Sequence, residues 1–351
     1  MPTIRDVAAL AGVSYTTVSH VVNETRPVRA DKRERVLAAV AELRFVPSAV
    51  ARSLKAQATG TIGMLVPSNI NPYFAEIAQG VENRARRHGY CVFLCNSDND
   101  VDVQREWLRV LNEKRVDGLI IASVGDEAAA AEALRQITVP VVVIDRPIAG
   151  IRADRVQVDH RAGAAIATQH LIALGHRRIA CIAGPDNTTV SAHRVDGFRL
   201  TMAEHGVSLP DEALVVADFT SPGGYSAALT LFRDYAPTAI FASNDAMAIG
   251  ALRAAAERGI RIPEDCSIVG FDDIEMSRYV YPALSTVGQT IARLGDVAAS
   301  GLLDRITGRI TGDVQHHVLA PRLLLRESTS APPPDTGTRR AVAGPFAKII
   351  T

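Results

Sequence analysis

Most of the side chains with evident binding chemistry sit where runs of β-branched residues end. Asn71-Pro72-Tyr73-Phe74 follows one such run and Asp145-Arg146 ends another; Asp218-Phe219, Asn244-Asp245, Asp272 and Gln289 close four more, and Arg194 stands just ahead of Gly197-Phe198. Carboxylates, carboxamides and guanidinium groups each pair two neighbouring hydroxyls, and aromatic faces cover the C–H side of a ring. The set suits a polyhydroxylated ligand better than a nucleotide, because neither phosphate-gripping pattern, G-x-G-x-x-G or G-x-x-x-x-G-K, occurs. Singly, each residue has a plainer reading: Asn244 and Asp272 as helix caps, Phe74 and Phe219 as core. No nucleophile–base arrangement or metal-ligand spacing accompanies them, so binding is expected and catalysis, cofactor or metal is not. The cysteines Cys91, Cys95, Cys181 and Cys266 form no C-x-x-C pair. Cys91 and Cys95 fall on one face of a strand, and all four are expected as core thiols of a reducing compartment.

Such clusters need a scaffold that gathers strand ends. From residue 61 strand-like runs alternate with amphipathic stretches: Ile62–Val66, Tyr90–Cys95, Gly118–Ala122, Val139–Asp145, Arg178–Ala183, Leu214–Asp218, Ala239–Ser243 and Ser267–Phe271. The alternation predicts parallel sheets with covering helices, too many units for one open sheet, and hence two α/β lobes with a cleft between them. Ligands of such sheets bind beyond the carboxyl ends of the strands. Ala331 onward, with Pro332-Pro333-Pro334, reads as a disordered tail over 331–351.

Residues 3–45 follow a different rule. Thr3 with Asp6 makes a capping box, Gly12 breaks the first helix, Ser14 caps a second that carries Val18, Val21 and Val22, and Asp31 opens a third with Val36, Leu37, Val40 and Leu43 on one face. Ala8 is small where two helices would cross, and Tyr15, Thr16, Ser19 and His20 would face outward toward base edges and phosphates. That is a helix-turn-helix, with an ordinary helical hairpin as the plainer alternative. Residues 1–60 hold nine Lys/Arg against five Asp/Glu, leaving 29 basic and 33 acidic residues in the remainder of a chain with zero net charge. A basic head on an acidic body suits a nucleic-acid reader joined to a module that does not touch nucleic acid. The 47% hydrophobic content supports a sizeable core. No leader-like stretch follows Met1 and no apolar run is membrane-spanning, so a cytoplasmic protein without a membrane partner is expected.

Thr3 to Lys55 resembles the headpiece of the LacI family of bacterial transcription regulators. The likeness is carried by Val13-Ser14-Tyr15-Thr16-Thr17-Val18-Ser19 and by Pro47-Ser48-Ala49-Val50-Ala51-Arg52-Ser53-Leu54-Lys55. It continues to about residue 328, nearest to the ribose repressors and next to the purine repressors. The resemblance implies a small all-α helix-turn-helix headpiece (1–46), a hinge helix and linker (47–60) and a two-lobed, periplasmic-binding-protein-like α/β sensor domain (61–330). It implies major-groove contacts from Tyr15, Thr16, Ser19, His20 and Arg26, with Leu54 wedged into the minor groove beside Lys55. It implies a homodimer on a pseudo-palindromic double-stranded operator. It also implies an effector site of Asn71, Tyr73, Phe74, Asp145, Arg146, Arg194, Phe219, Asn244, Asp272 and Gln289. The expected effector is D-ribose or a close pyranose, acting as an inducer of a sugar-utilisation operon. The alternatives are another sugar or a purine acting as corepressor and, more distantly, the sugar receptor of a transporter.

Overall fold

The computed structural model describes residues 2–46, 58–122, 127–146, 148 and 150–334. The expected hinge residues Leu54 and Lys55, with all of 47–57, lie outside the described residues, as does 335–351 of the tail. The chain divides into two units at Gly60/Thr61.

In the first unit, α1 (Ile4–Ala11) begins at Thr3, whose side chain and that of Asp6 cap each other's backbone. It ends at Gly12, which adopts the left-handed conformation (φ 61°) that a side chain resists. Ser14 accepts from the Thr17 amide and starts α2 (Tyr15–Val22). The third helix, α3 (Ala30–Glu42), has Arg29 at its N-cap without a side-chain cap, and Asp31 instead lies in the first turn, 3.2 Å from Arg29. Val7, Ala8, Ala11, Val18, Val21, Val36 and Ala39 form the core of the three helices. Leu37 is exposed rather than part of it; the buried stripe of α3 runs through Val36, Ala39, Val40 and Leu43.

The second unit alternates strand and helix: β1 (Thr61–Val66), α4 (Pro72–Arg87), β2 (Cys91–Asn96), α5 (Val101–Glu113), β3 (Gly118–Ile121), α6 (Glu127–Leu134), β4 (Val141–Ile144) and β5 (Asp154–Val158). It continues through α7 (His160–Ala173), β6 (Ile179–Ala183), α8 (Thr189–Glu204), β7 (Leu214–Val216), α9 (Ser221–Asp234), β8 (Ala239–Ala242), α10 (Asp245–Glu257), β9 (Ser267–Asp272) and β10 (Ser285–Gly288). It closes with α11 (Ile291–Ile306), β11 (His316–Leu319) and β12 (Arg322–Leu324). Two six-stranded sheets result, ordered β11-β5-β4-β3-β1-β2 and β12-β10-β9-β8-β6-β7. Their pairings are parallel except β10 with β12. Each sheet is apolar on both faces, as parallel sheets between helices must be. Ile120 and Ile144 point to the α4–α11 side, and Leu119, Ile121 and Val143 to the α5–α6 side. In the second lobe Ile240 and Ile268 face α9–α10, while Phe241 and Val269 face α7–α8. Each fully buried side chain of this size contributes about 1.5–3 kcal/mol.

The strands β5, β11 and β12 were not expected. Asp-Arg-Val-Gln-Val at β5 has no hydrophobic run, and Val156 and Val158 share its buried face with Asp154, which pairs with Arg305 at 2.8 Å. Cys91 is exposed, correcting the expectation of four core thiols, because β2 is an edge strand whose outer residues include the exposed Phe93 and Leu94.

Glycines set the closest helix approach in the first lobe. A Cβ on Gly80 of α4 would stand 2.5 Å from the Ala292 carbonyl, and one on Gly295 of α11 would collide with the Ile77 carbonyl. Gly301, on the same helix α11, has nothing within 4 Å. Two substitutions in one helix therefore act in opposite directions. Gly295→Ala should destabilise the second unit by about 1–3 kcal/mol. Gly301→Ala should stabilise it by up to about 1 kcal/mol. Urea unfolding of both variants reads the two signs directly.

Candidate functional site

The first unit carries a polar face opposite Val18 and Val21. Tyr15 and Thr16 open α2 and are exposed, Tyr15 by 63%. Ser19 and His20 are half-buried and tied locally: the Asn23 side-chain amide donates to the Ser19 carbonyl at 2.9 Å, and His20 Nδ1 pairs with Thr25 Oγ1 at 2.8 Å. Arg26 is exposed in the following loop. Tyr15, Thr16 and Arg26 therefore project, while Ser19 and His20 shape the helix end. An exposed helix bearing these groups is what the major groove, about 12 Å wide, admits.

The second unit brings together the residues at its strand ends. Asn71, Tyr73, Phe74, Asp145, Arg146, Arg194, Phe219, Asn244 and Asp272, with Val190, line one cleft of about 300 Å³ empty volume. Gln289, the tenth expected residue, lies behind them. Tyr73 Oη donates to Asp145 Oδ1 at 3.0 Å and stands 3.3 Å from Gln289 Oε1, and Gln289 Nε2 donates to Asp272 Oδ1. Asn244 does cap a helix, accepting from the Met247 amide at 2.9 Å, whereas Asp272 ends β9 and caps no helix among the described residues. Asn71, not expected as a cap, accepts from the Tyr73 amide at 3.1 Å, so Asn71 and Asn244 are each cap and cleft wall at once.

Arg194, 3% exposed, organises the centre. Its Nη2 donates to Asp272 Oδ1 at 3.2 Å, its Nη1 to the Ser243 carbonyl, and its guanidinium lies 3.9 Å over the Phe271 ring. Burial pushes the Asp272 carboxyl up to about 7, with Arg194 opposing the shift. Burial, reinforced by the charges of Asp145 and Asp272, holds the Tyr73 hydroxyl well above its usual range. Asp245, buried behind the cleft, accepts from Thr286 Oγ1 at 2.5 Å and the Ile274 amide at 3.0 Å, and burial raises its carboxyl well above the usual range. Asp145, Phe219 and Asp272 all hold positive φ (66°, 64° and 122°), and such backbone strain collects at functional sites.

His160 escaped the sequence reading. It begins α7 directly after β5, and with that strand unrecognised no strand end marked it. The imidazole is buried, and its Nδ1 accepts from Arg194 Nε and Nη2 at 3.4 and 3.3 Å. The proton therefore belongs on Nε2, which has no hydrogen-bond partner and stands 3.7 Å from Asp145 Oδ1. Burial, with the Arg194 charge, keeps this ring neutral. No cluster of three or more His, Cys, Asp or Glu able to hold a metal occurs among the described residues, and no helix among them is long and apolar enough to cross a membrane.

Residues 3–48 match the family described as bacterial regulatory proteins, lacI family. Residues 59–327 match periplasmic binding proteins and sugar binding domain of LacI family. The HTH-type transcriptional repressor PurR of Haemophilus influenzae (strain PittEE) is 42% identical over 337 residues, 94% of this chain and 99% of that protein. The structure of the lac repressor dimer bound to operator and the anti-inducer ONPF is similar at TM-score 0.85 and 32% identity, covering 94% of this chain and 99% of that one. A LacI family transcriptional regulator from Enterococcus faecium with bound ribose is similar at TM-score 0.70 and 34% identity, covering 77% and 99%.

The raised Asp272 carboxyl has a consequence with a definite sign. An unfolded aspartate loses its proton near pH 3.9. The folded chain keeps it to about pH 7, so this group's stabilisation is complete below about pH 4 and is lost as pH rises to about 7. Asp272→Asn cannot release that proton. The melting temperature of the parent chain should therefore fall relative to Asp272→Asn across that window, and parallel melting-temperature profiles would contradict the assignment.

Proposed function

Since the chain belongs to the LacI family of bacterial transcription regulators, we propose that it is a repressor whose hold on its operator is set by a small ligand in the cleft between the two lobes. The observation that carries this is the pairing, in one chain, of an exposed helix-turn-helix face with a cleft lined by buried, strained polar groups. The protein acts as a homodimer, because a pseudo-palindromic operator presents two equivalent half-sites. Tyr15, Thr16 and Arg26 read or position the DNA from the first unit, and Leu54 with Lys55 supplies the minor-groove wedge. The family is one of regulators rather than enzymes, and the cleft offers hydrogen bonds without a nucleophile.

For the effector, the relatives favour a purine over ribose: the protein 42% identical over nearly the full length is a purine repressor by name, the group that the resemblance placed second. On that reading the ligand is a corepressor. A specific observation keeps the ribose reading as the second. Two carboxylates and two guanidiniums, Asp145, Arg146, Arg194 and Asp272, meet at one small cleft, and a family member 34% identical has ribose bound. On this reading the ligand is an inducer. Either way the coupling is reciprocal: a ligand that changes operator affinity is itself bound more tightly or loosely by the same factor when operator is present.

Fluorescence anisotropy of the full chain on its operator, with and without hypoxanthine, guanine or D-ribose, separates the readings. A purine should tighten binding about tenfold or more. Release by ribose alone would establish the second reading, and no response to either class would remove both. Arg194→Ala should abolish the response while leaving ligand-free DNA binding intact. Thr16→Ala and Leu54→Ala should each weaken operator binding about tenfold with the ligand site unchanged, and unchanged DNA bending by Leu54→Ala would remove the wedge.

A further inference from the structure

The cleft already described does not stand alone. A second cleft of about 500 Å³ empty volume adjoins it and shares Asp145 and Val190 as walls; its other walls include Gln157, Asp159, His160 and His193. His160 lies at the seam. It is 4% exposed, its Nδ1 is taken by Arg194, and its Nε2–H has no partner, 3.7 Å from Asp145 Oδ1. That distance is too long for a hydrogen bond. A buried donor without a partner is costly, so a ligand atom that reaches it is favoured at this position. A single base or a single sugar would reach the walls of one cleft; a ligand of two joined rings would reach the walls of both, with its connecting heteroatoms near the shared Asp145 and Val190.

The two clefts differ in chemistry. The first gathers Asp145, Arg146, Arg194 and Asp272, groups that pair vicinal hydroxyls. The second offers the half-buried carboxamide of Gln157, whose donor and acceptor lie side by side as they do when glutamine reads a purine edge. It also offers the half-buried planar ring of His193. We propose that the effector is a purine ribonucleoside, its pentose in the first cleft and its base in the second. The assignment rests on the reading of the interlobe cleft as the effector site, and it joins the purine and ribose readings in one molecule.

Calorimetry on the full chain with inosine, hypoxanthine and D-ribose tests it. Inosine should bind at least about tenfold more tightly than either part. Gln157→Ala should lower inosine affinity about tenfold and leave ribose affinity and operator binding unchanged. Inosine binding no tighter than its better part, or binding unaffected by Gln157→Ala, would overturn the nucleoside assignment while ribose or hypoxanthine binding left the effector cleft standing. Absence of binding by all three would overturn both.

Discussion

A guanidinium and a carboxylate, Arg194 and Asp272, meet where almost no water reaches, 3% and 5% exposed. Removing each charge from water costs several kcal/mol, and the pair persists only if its remaining hydrogen-bonding capacity is used. Every neighbouring element is arranged to use it. The end of β8 supplies the Ser243 carbonyl, the start of α7 the His160 ring, and the residue after β10 the Gln289 carboxamide. The register that sets Gly288 opposite Asp272 brings Gln289 within reach. Gly270 leaves room for the buried Asp245 behind the strand, since a Cβ there would strike its carboxylate. The ends of β8, β9 and β10 are thus held together by a polar constraint as much as by the apolar faces of their sheet.

Much of the cleft's polar capacity is already satisfied by the protein. The Tyr73 hydroxyl sits between Asp145 and Gln289, where a hydroxyl of a ligand would otherwise bond. A ligand entering here must replace that contact or add to it. Unused capacity at the cleft walls belongs to His160 Nε2 and Arg146 Nε. Those atoms give a ligand bonds that it need not take from an existing partner. Selectivity follows from the unpaired groups more than from the satisfied ones, because a buried polar atom left unpaired penalises the ligand that fails to reach it.

The cleft was legible in the sequence because parallel strands in buried sheets are nearly continuous apolar runs, and each run ends visibly at a polar residue. Asp145, Asn244 and Asp272 could be found that way. The headpiece was legible for a different reason: Thr3, Gly12 and Ser14 each perform a local backbone task that few other residues perform. His160 was hidden because β5 is written Asp-Arg-Val-Gln-Val, and its strand character comes from pairing with β4 and β11 rather than from its own composition. Gln157, on the same strand, was hidden with it. Leu37 and Cys91 failed in the opposite sense. Residue type suggested burial, but α3 buries only a narrow stripe and β2 has no neighbour on its outer side.

A ligand shifts a two-state protein only by as much as it prefers one state. Here the chain crosses between lobes after β5, after β10 and between β11 and β12. His160 and Gln289 sit on two of these crossings. His160 bonds Arg194 of the second lobe and stands beside Asp145 of the first, and Gln289 bonds Asp272 of the second lobe and accepts from Tyr73 of the first. Rotation of the lobes about the crossings therefore cannot leave the cleft's hydrogen-bond distances unchanged. A hundredfold change in operator affinity requires about 2.7 kcal/mol of coupling. One or two charge-assisted hydrogen bonds made in only one lobe arrangement supply that much, at about 1.5–3 kcal/mol each. Crossing and cleft share His160 and Gln289, so a group bound in the cleft would act on the lobe arrangement at those two residues, without a relay of packed side chains through the lobes.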